Sequence, residues 1–358
     1  MPTEKLYRIW KEQIRALRPG QRITQIQNFA WMMVGIYQSR SIHLSKIAGK
    51  VLGHAKLLST VRRFERFLDN QAIEVRAWYE PIAKQWIQRQ WQHLGEIRLI
   101  VDGTQIGFGH QLLMVSLAYR RRSIPIAWAW IKQVRGHSSA KKQIELLKYV
   151  KALLPKKSAV ALVGDSEFGS VELLKQLNQW HWHYTLRQKS NTGFRVGKYD
   201  AWQTLESFVR KPGDSAWLPK GFLTKQSAFP ASVLVYWKVG EKQPWCLATN
   251  MSNRKLVLQS YKRRMWIEEM FGDLKKHGFD LESTMLRTAE HLSRLTLVVA
   301  YLFDWLISAG TKVINIGLRH LVDRKDRRDL SLFQIGWRFI ERQLLRLLPF
   351  PLSLCTYL

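Results

Sequence analysis

The ten residues IRLIVDGTQI, Ile97 to Ile106, mark the point where the period of the chain changes. Before them, apolar residues recur at helical spacing. Here a β-branched run reads as a strand, and it brings Asp102 to its end. Next, HQLLMVSLAYRRRSIPIAWAWIK reads as two more strands, joined near Arg120 to Ser123. SSAKKQIELLKYVKALLP follows as an amphipathic helix with Ile144, Leu146, Leu147, Val150 and Leu153 as its apolar positions. A strand, AVALVGD, a helix, SVELLKQLNQW, and a strand, HWHYTLRQ, complete the series. The succession β-β-β-α-β-α-β predicts an α/β fold with a mixed sheet flanked by helices.

Upstream, residues 1–94 read as helical. In SIHLSKIAGKVLGHAKLLSTVRRFERFLDN, Leu44, Ile47, Ala48 and Val51 mark one helix face. Leu57, Leu58, Val61, Phe64, Phe67 and Leu68 mark a second, and the joint lies at Leu52-Gly53-His54. The second helix carries Arg62, Arg63 and Arg66, as a helix-turn-helix-like DNA-binding unit would, although any helical hairpin reads this way. Downstream, residues 189–249 hold nine Gly or Pro residues and short strand-like runs such as ASVLVYWKV, which read as a β-rich insertion. Helix then resumes to the C-terminus, including the basic stretch LVDRKDRRDLS.

The chain has 358 residues, of which 46% are hydrophobic, enough for a sizeable core and too many for a disordered chain. Its 57 Lys and Arg against 27 Asp and Glu give a net charge of +30, spread along the whole length, which points to a polyanionic partner, nucleic acid first. The 16 Trp exceed ordinary usage, and aromatic faces stack on bases as well as filling cores. Two cysteines, Cys246 and Cys355, form no CxxC spacing, which argues against a zinc site or disulfide framework and fits a reducing cytoplasm. His137, His181 and His183 fit no metal-ligand spacing. The N-terminus has charges throughout and no apolar signal core. The most apolar run, Leu295 to Gly310, contains Asp304 and is too short for a membrane span of about 20 residues.

The segment SYKRRMWIEEMFGDLKKHG, Ser260 to Gly278, concentrates the chemistry. On an ideal helix counted from Tyr261, Arg264 lies at about 300°, Glu268 at about 340° and Lys275 at about 320°, one narrow stripe. Ile267, Met270, Phe271 and Leu274 form a separate apolar stripe, and Glu269 falls near 80°, well away from Glu268. A solvated face with Arg264 supporting Glu268 at i,i+4 would look the same. Asp102 and Asp165, each ending an apolar strand, set the constellation apart, because open sheets place their sites at that rim. Two aspartates and a glutamate make an oxygen-ligand site suited to magnesium, with manganese as its substitute, and two such ions serve in-line phosphodiester displacement. Glu167 and Glu172 lie near Asp165, which is preferred because it directly ends the strand.

Tyr261-x2-Arg264-x3-Glu268-x6-Lys275 resembles the YREK signature of insertion-sequence DDE transposases, with every spacing kept. That resemblance implies an RNase H-like core with a β-rich insertion between the second and third acids, and it covers most of the chain. It implies that Asp102, Asp165 and Glu268 are the metal-binding catalytic triad. Tyr261, Arg264 and Lys275 would contact transposon-end phosphates. A tryptophan of the insertion, Trp202 or Trp217, would stack on a flipped base, although Trp237 and Trp245 lie there too. Met265 stands where many relatives carry tryptophan. The implied organisation is a DNA-binding region over 1–94, a catalytic core over 95–188 and 250–310, the insertion over 189–249, and a helical C-terminal region over 311–358. Implied partners are double-stranded DNA, as element ends and target, and a second protomer when DNA is bound, with no membrane and a nucleoid-associated location. Two other readings stand beside it: a catalytically silent, domesticated DNA-binding protein, and another RNase H-like nuclease such as a resolvase.

Overall fold

The computed structural model describes residues 2–106, 109–132, 138–346, 348 and 354. The first elements are helices α1 (Pro2–Leu17), α2 (Ile23–Ser39), α3 (Leu44–Ala48), α4 (Leu57–Asp69) and α5 (Val75–Leu94). In α1, Leu6, Trp10 and Ile14 recur every fourth residue and are fully buried, the one-sided spacing that makes a helix pack. In α4, Phe64, Phe67 and Leu68 are buried, but Leu57 and Leu58 are 50% and 70% exposed. The first turn of α4 stands clear of the helices that cover the rest, so the apolar face is shorter than its sequence pattern.

The strands are β1 (Glu96–Ile106), β2 (His110–Tyr119) and β3 (Arg122–Lys132), then, beyond α6 (Ala140–Leu153), β4 (Ala159–Gly164). After α7 (Val171–Gln179) come β5 (His183–Gln188), β6 (Gly193–Arg195), β7 (Gln203–Thr204), β8 (Ser215–Leu223), β9 (Phe229–Tyr236) and β10 (Trp245–Thr249). All ten join one mixed sheet in the order β3-β2-β1-β4-β5-β10-β9-β8-β6-β7. The first five form an RNase H-like core: an antiparallel β1–β3 meander, with β4 parallel to β1 and β5 parallel to β4. Every residue of β2 is buried, as expected of a strand with neighbours on both sides and helices over it. Pro125 is tolerated because β3 is an edge strand, and the β2–β3 register shifts beside it.

The β-rich insertion does not form a separate sheet. β10 pairs antiparallel with β5 on one side and β9 on the other, so the insertion continues the core sheet. The turn joining β2 to β3 is also distinctive. Arg120 and Arg121 both have positive φ, 46° and 63°, the paired left-handed geometry of a two-residue hairpin that normally selects Asn-Gly. Each non-glycine residue held there costs about 1 kcal/mol.

Beyond the sheet come helices α8 (Arg254–Lys262), α9 (Met265–Leu274) and α10 (Ala289–Asn315). The segment Ser260 to Gly278 is therefore not one helix. It breaks at Arg263 and Arg264, where short backbone bonds (Arg264 N to Tyr261 O, 2.9 Å; Trp266 N to Arg263 O, 2.9 Å) tighten the turn, and Lys275 lies past the end of α9. The apolar run at Leu295 lies within a 27-residue helix, longer than its sequence pattern indicated. Among the described residues α10 alone is long and apolar enough to cross a membrane, but 89% of that window is buried inside the protein, as in a core helix. The last helix, α11 (Leu332–Leu345), crosses α10 at Gly310 and Gly336. A Cβ at either position would fall about 2 Å from a carbonyl of the other helix (Leu332 O at 2.0 Å, Leu306 O at 1.9 Å), so only glycine permits this approach.

Candidate active site

Register brings the first two acids together. β1 and β4 pair in parallel up to Val101 opposite Gly164, so Asp102 and Asp165 are the next residues on neighbouring strands about 5 Å apart. Asp165 is the first residue past β4, but β1 continues four residues beyond Asp102 because β2 still pairs with it, Asp102 facing Met114. Asp102 is thus not at a strand end; it sits where its parallel neighbour stops. It is 6% exposed, and Gly103 N–H donates to its Oδ1 at 2.8 Å. Burial pushes its carboxyl up to about 7, against the pull of Arg264, with Asp165 and Glu268 adding to the rise. Asp165 Oδ1 accepts from Glu167 N at 2.9 Å, capping the short turn Ser166–Phe168.

The break between α8 and α9 aims Arg264 at these acids. Its Nη1 donates to Asp102 Oδ2 at 2.9 Å, and its Nη2 donates to Glu268 Oε1 one helical turn on. One guanidinium therefore spans the buried aspartate of β1 and the half-exposed glutamate of α9. Burial works against its charge, yet Asp102, Tyr261, Glu268 and Asp165 together hold its pKa above the ordinary arginine value.

The other residues of the expected stripe diverge. Tyr261 is 3% exposed in an apolar cluster with Leu234, Trp245, Leu247 and Val257. Burial raises its hydroxyl pKa, and a hydrogen bond with Arg187 opposes that rise. Lys275 pairs with Glu282 at 2.9 Å and donates to Gln105 O at 3.2 Å, just past Asp102 along β1. Glu269 turns to the other side of α9 and pairs with Arg122 at 3.1 Å, while Arg122 Nε lies 3.2 Å from buried Asp273. Trp217 packs on the Tyr261 cluster, whereas Trp202 is half-buried beneath the Arg195 guanidinium, 4.9 Å from its ring. Trp237 donates to Glu241 O, and Trp245 is a core residue 5.2 Å from the Tyr261 ring. In the N-terminal region Arg62 and Arg66 are exposed, and Arg63 lies over Phe64.

Two features of the site escaped the sequence reading. Arg187, on β5, meets the Tyr261 hydroxyl; the strand-end logic that singled out Asp165 applies equally to LRQ one strand over. Glu167 is clamped: Gln111 Nε2, Ser138 N and Ser138 Oγ all donate to its carboxylate, and Gln143 Nε2 donates to its carbonyl. That carboxylate braces the turn after β4, which leaves Asp165 the freer of the two. Glu172 is exposed on α7. His181 and His183 are exposed, and His137 and Cys355 lie outside the described residues. Cys246 is a buried free thiol, its pKa pushed up to about 12 by burial.

Among the described residues, no three His, Cys, Asp or Glu side chains stand close enough together to hold one ion. Arg264 stands between Asp102 and Glu268 as their neutralising cation, bonded to both. The donor set itself, two aspartates from adjoining strands and a glutamate from α9, is of the oxygen type that suits a hard divalent ion.

A family model described as the transposase DDE domain matches residues 93–303, more than half of the chain. No curated protein matches in sequence. Among solved structures, a piggyBac transposase synaptic complex with hairpin DNA is similar at 12% identity with a TM-score of 0.46, covering 96% of this chain and 83% of that one.

Proposed function

This chain belongs to the transposase DDE domain family and is a DNA transposase, and we propose that it cleaves the ends of an insertion sequence and joins them to target DNA. The observation that carries this reading is the meeting of Asp102 and Glu268 on one arginine, beside Asp165 in the neighbouring strand. The family implies a divalent metal; we assign Asp102, Asp165 and Glu268 as its ligands, with magnesium the ion and two ions the count. Held by these three carboxylates, a divalent metal would supply activation of the attacking water or 3′-hydroxyl and charge stabilisation at the leaving oxygen.

The chain's own groups do the rest. Arg264 holds the two carboxylates in place without DNA and turns its guanidinium to a phosphate when DNA arrives, the geometry for which guanidinium is best suited. Lys275, anchored at the end of β1, supplies a second cation along the same strand. Tyr261 keeps α8 against the insertion and presents its hydroxyl beside Arg187. Arg62, Arg63 and Arg66 on α4 hold flanking duplex, and Trp217 or Trp202 receives an unstacked base. Two protomers pair two ends.

The test incubates the purified chain with magnesium and a duplex carrying the inverted repeats that flank its coding region. Strand-transfer products are expected. A mobility shift without cleavage identifies a silent DNA-binding protein instead, and cleavage without joining identifies another RNase H-like nuclease.

A further inference from the structure

A second basic surface lies away from the carboxylates. Counted along β2, the hairpin tip at Arg120 is six residues, about 20 Å, from the level of Asp102, at the opposite end of the strands. There the tip meets the loop between α10 and α11, which carries the basic stretch noted in the sequence. Together they line a cleft of about 450 Å³ that includes Arg120, Arg121, Arg319 and Arg328. It continues into a hollow of about 530 Å³ that shares Ile314, Arg319 and Arg328 and adds Arg324 and Lys325.

Not all of this charge is spoken for inside the protein. Arg319 pairs with Asp323, and Arg122 with Glu269 and Asp273. Among the described residues Arg120, Arg121, Arg324, Lys325 and Arg328 have no carboxylate partner, and Arg120 Nη1 is buried without an acceptor. The hairpin adds an independent sign. Two consecutive arginines occupy left-handed positions that Asn-Gly would take without strain. The hairpin needs this backbone geometry but not arginine within it, so the two side chains are not there for the turn's sake.

We propose that this cleft binds the phosphodiester backbone of duplex DNA outside the segment held at the carboxylate edge. The proposal rests on the transposase reading and adds a second DNA contact to it. Guanidinium groups from two separate elements, facing one open cleft, match the bidentate geometry of phosphate oxygens. The duplex held here is either the flank of the same DNA or a separate, target duplex.

The test uses the full chain, a fluorescent duplex of arbitrary sequence about 40 base pairs long, and the paired variant Arg120→Asn/Arg121→Gly. Relieving the turn is expected to raise the melting temperature while duplex binding weakens about tenfold, with a salt dependence shallower by about two phosphate contacts. A structural turn alone would raise the melting temperature and leave binding unmoved, and that result overturns the proposal. Arg324→Ala/Arg328→Ala is expected to weaken binding similarly without the gain in melting temperature. A matched loss of charge at exposed Lys151 and Lys156, as Lys151→Ala/Lys156→Ala, should change binding far less; an equal loss there reduces the effect to net charge and also overturns it. Two differently labelled duplexes separate the sources. If the cleft holds a separate duplex, the Arg324→Ala/Arg328→Ala variant loses energy transfer between the two labels but still binds one. If it holds the flank, a duplex of about 15 base pairs binds wild type and variant alike while the longer one does not. A wild-type chain that binds no duplex at all instead defeats the transposase reading beneath the proposal.

Discussion

Helix α9 carries two clusters of the same composition on opposite sides. On one, Arg264 lies between Glu268 and buried Asp102; on the other, Arg122 lies between Glu269 and buried Asp273. Each has an arginine, an exposed glutamate and an aspartate pushed up to about 7, chiefly by burial. What differs is the third acid. Asp165 stands beside the first cluster and, among the described residues, no third acid pairs with the second, so the formal charge is −2 against −1. The first has acid to spare for a divalent ion; the second is a clasp between helix and hairpin. Composition of a charged cluster is thus a poor guide to its task, and the count left over after pairing is a better one.

The sharpest way to break this comparison is to neutralise adjacent residues. Glu268→Gln is expected to lower end cleavage about 10³-fold, a loss of about 4 kcal/mol at the transition state, whereas Glu269→Gln leaves it within about threefold. Equal effects in a cleavage assay, with DNA binding intact, would erase the distinction. A smaller effect separates the clusters by stability. Asp273 binds its proton more tightly in the folded chain, so its contribution is complete below the unfolded value of about 4 and is lost as pH rises towards about 7. Removing its partner with Arg122→Ala is therefore expected to cost about 2 kcal/mol at pH 8 and much less at pH 5, where Asp273 is neutral. Thermal melts at the two pH values check this, and Asp273→Asn should flatten the difference. The smallest effect concerns the first cluster. In Arg264→Ala, divalent metal should take over from the guanidinium, raising stability by about 1.4 kcal/mol at ten times its dissociation constant and by less in wild type. Melts with and without manganese read it directly; an ion that stabilises neither chain removes these carboxylates as its ligands.

Much of the fold was legible. The change of period at Ile97 and the alternation of strands and helices to Gln188 are local properties, and local patterns survive into the sheet order. The break at Arg263 and Arg264 was not legible, because neither Gly nor Pro marks it. It arises from two tertiary demands: Tyr261 must enter its apolar cluster while Arg264 reaches Asp102. For the same reason the stripe that placed Lys275 with Glu268 does not survive, although Arg264 and Glu268, within one turn, stay together. The union of insertion and core through β10 was hidden as well, since strand partners distant in the chain leave no periodic trace. Arg187 differs: its place near the end of β5, one strand from Asp165, was open to the same strand-end reading.

The ten-stranded sheet has one further consequence. With β10 hydrogen-bonded to both β5 and β9, the surface carrying Trp217 cannot swivel as a separate body without tearing the ladder next to Arg187. The protein side is an anvil. Any bend, kink or extrusion at the cleavage point would then have to be absorbed by the nucleic acid, whose base steps differ in how cheaply they yield.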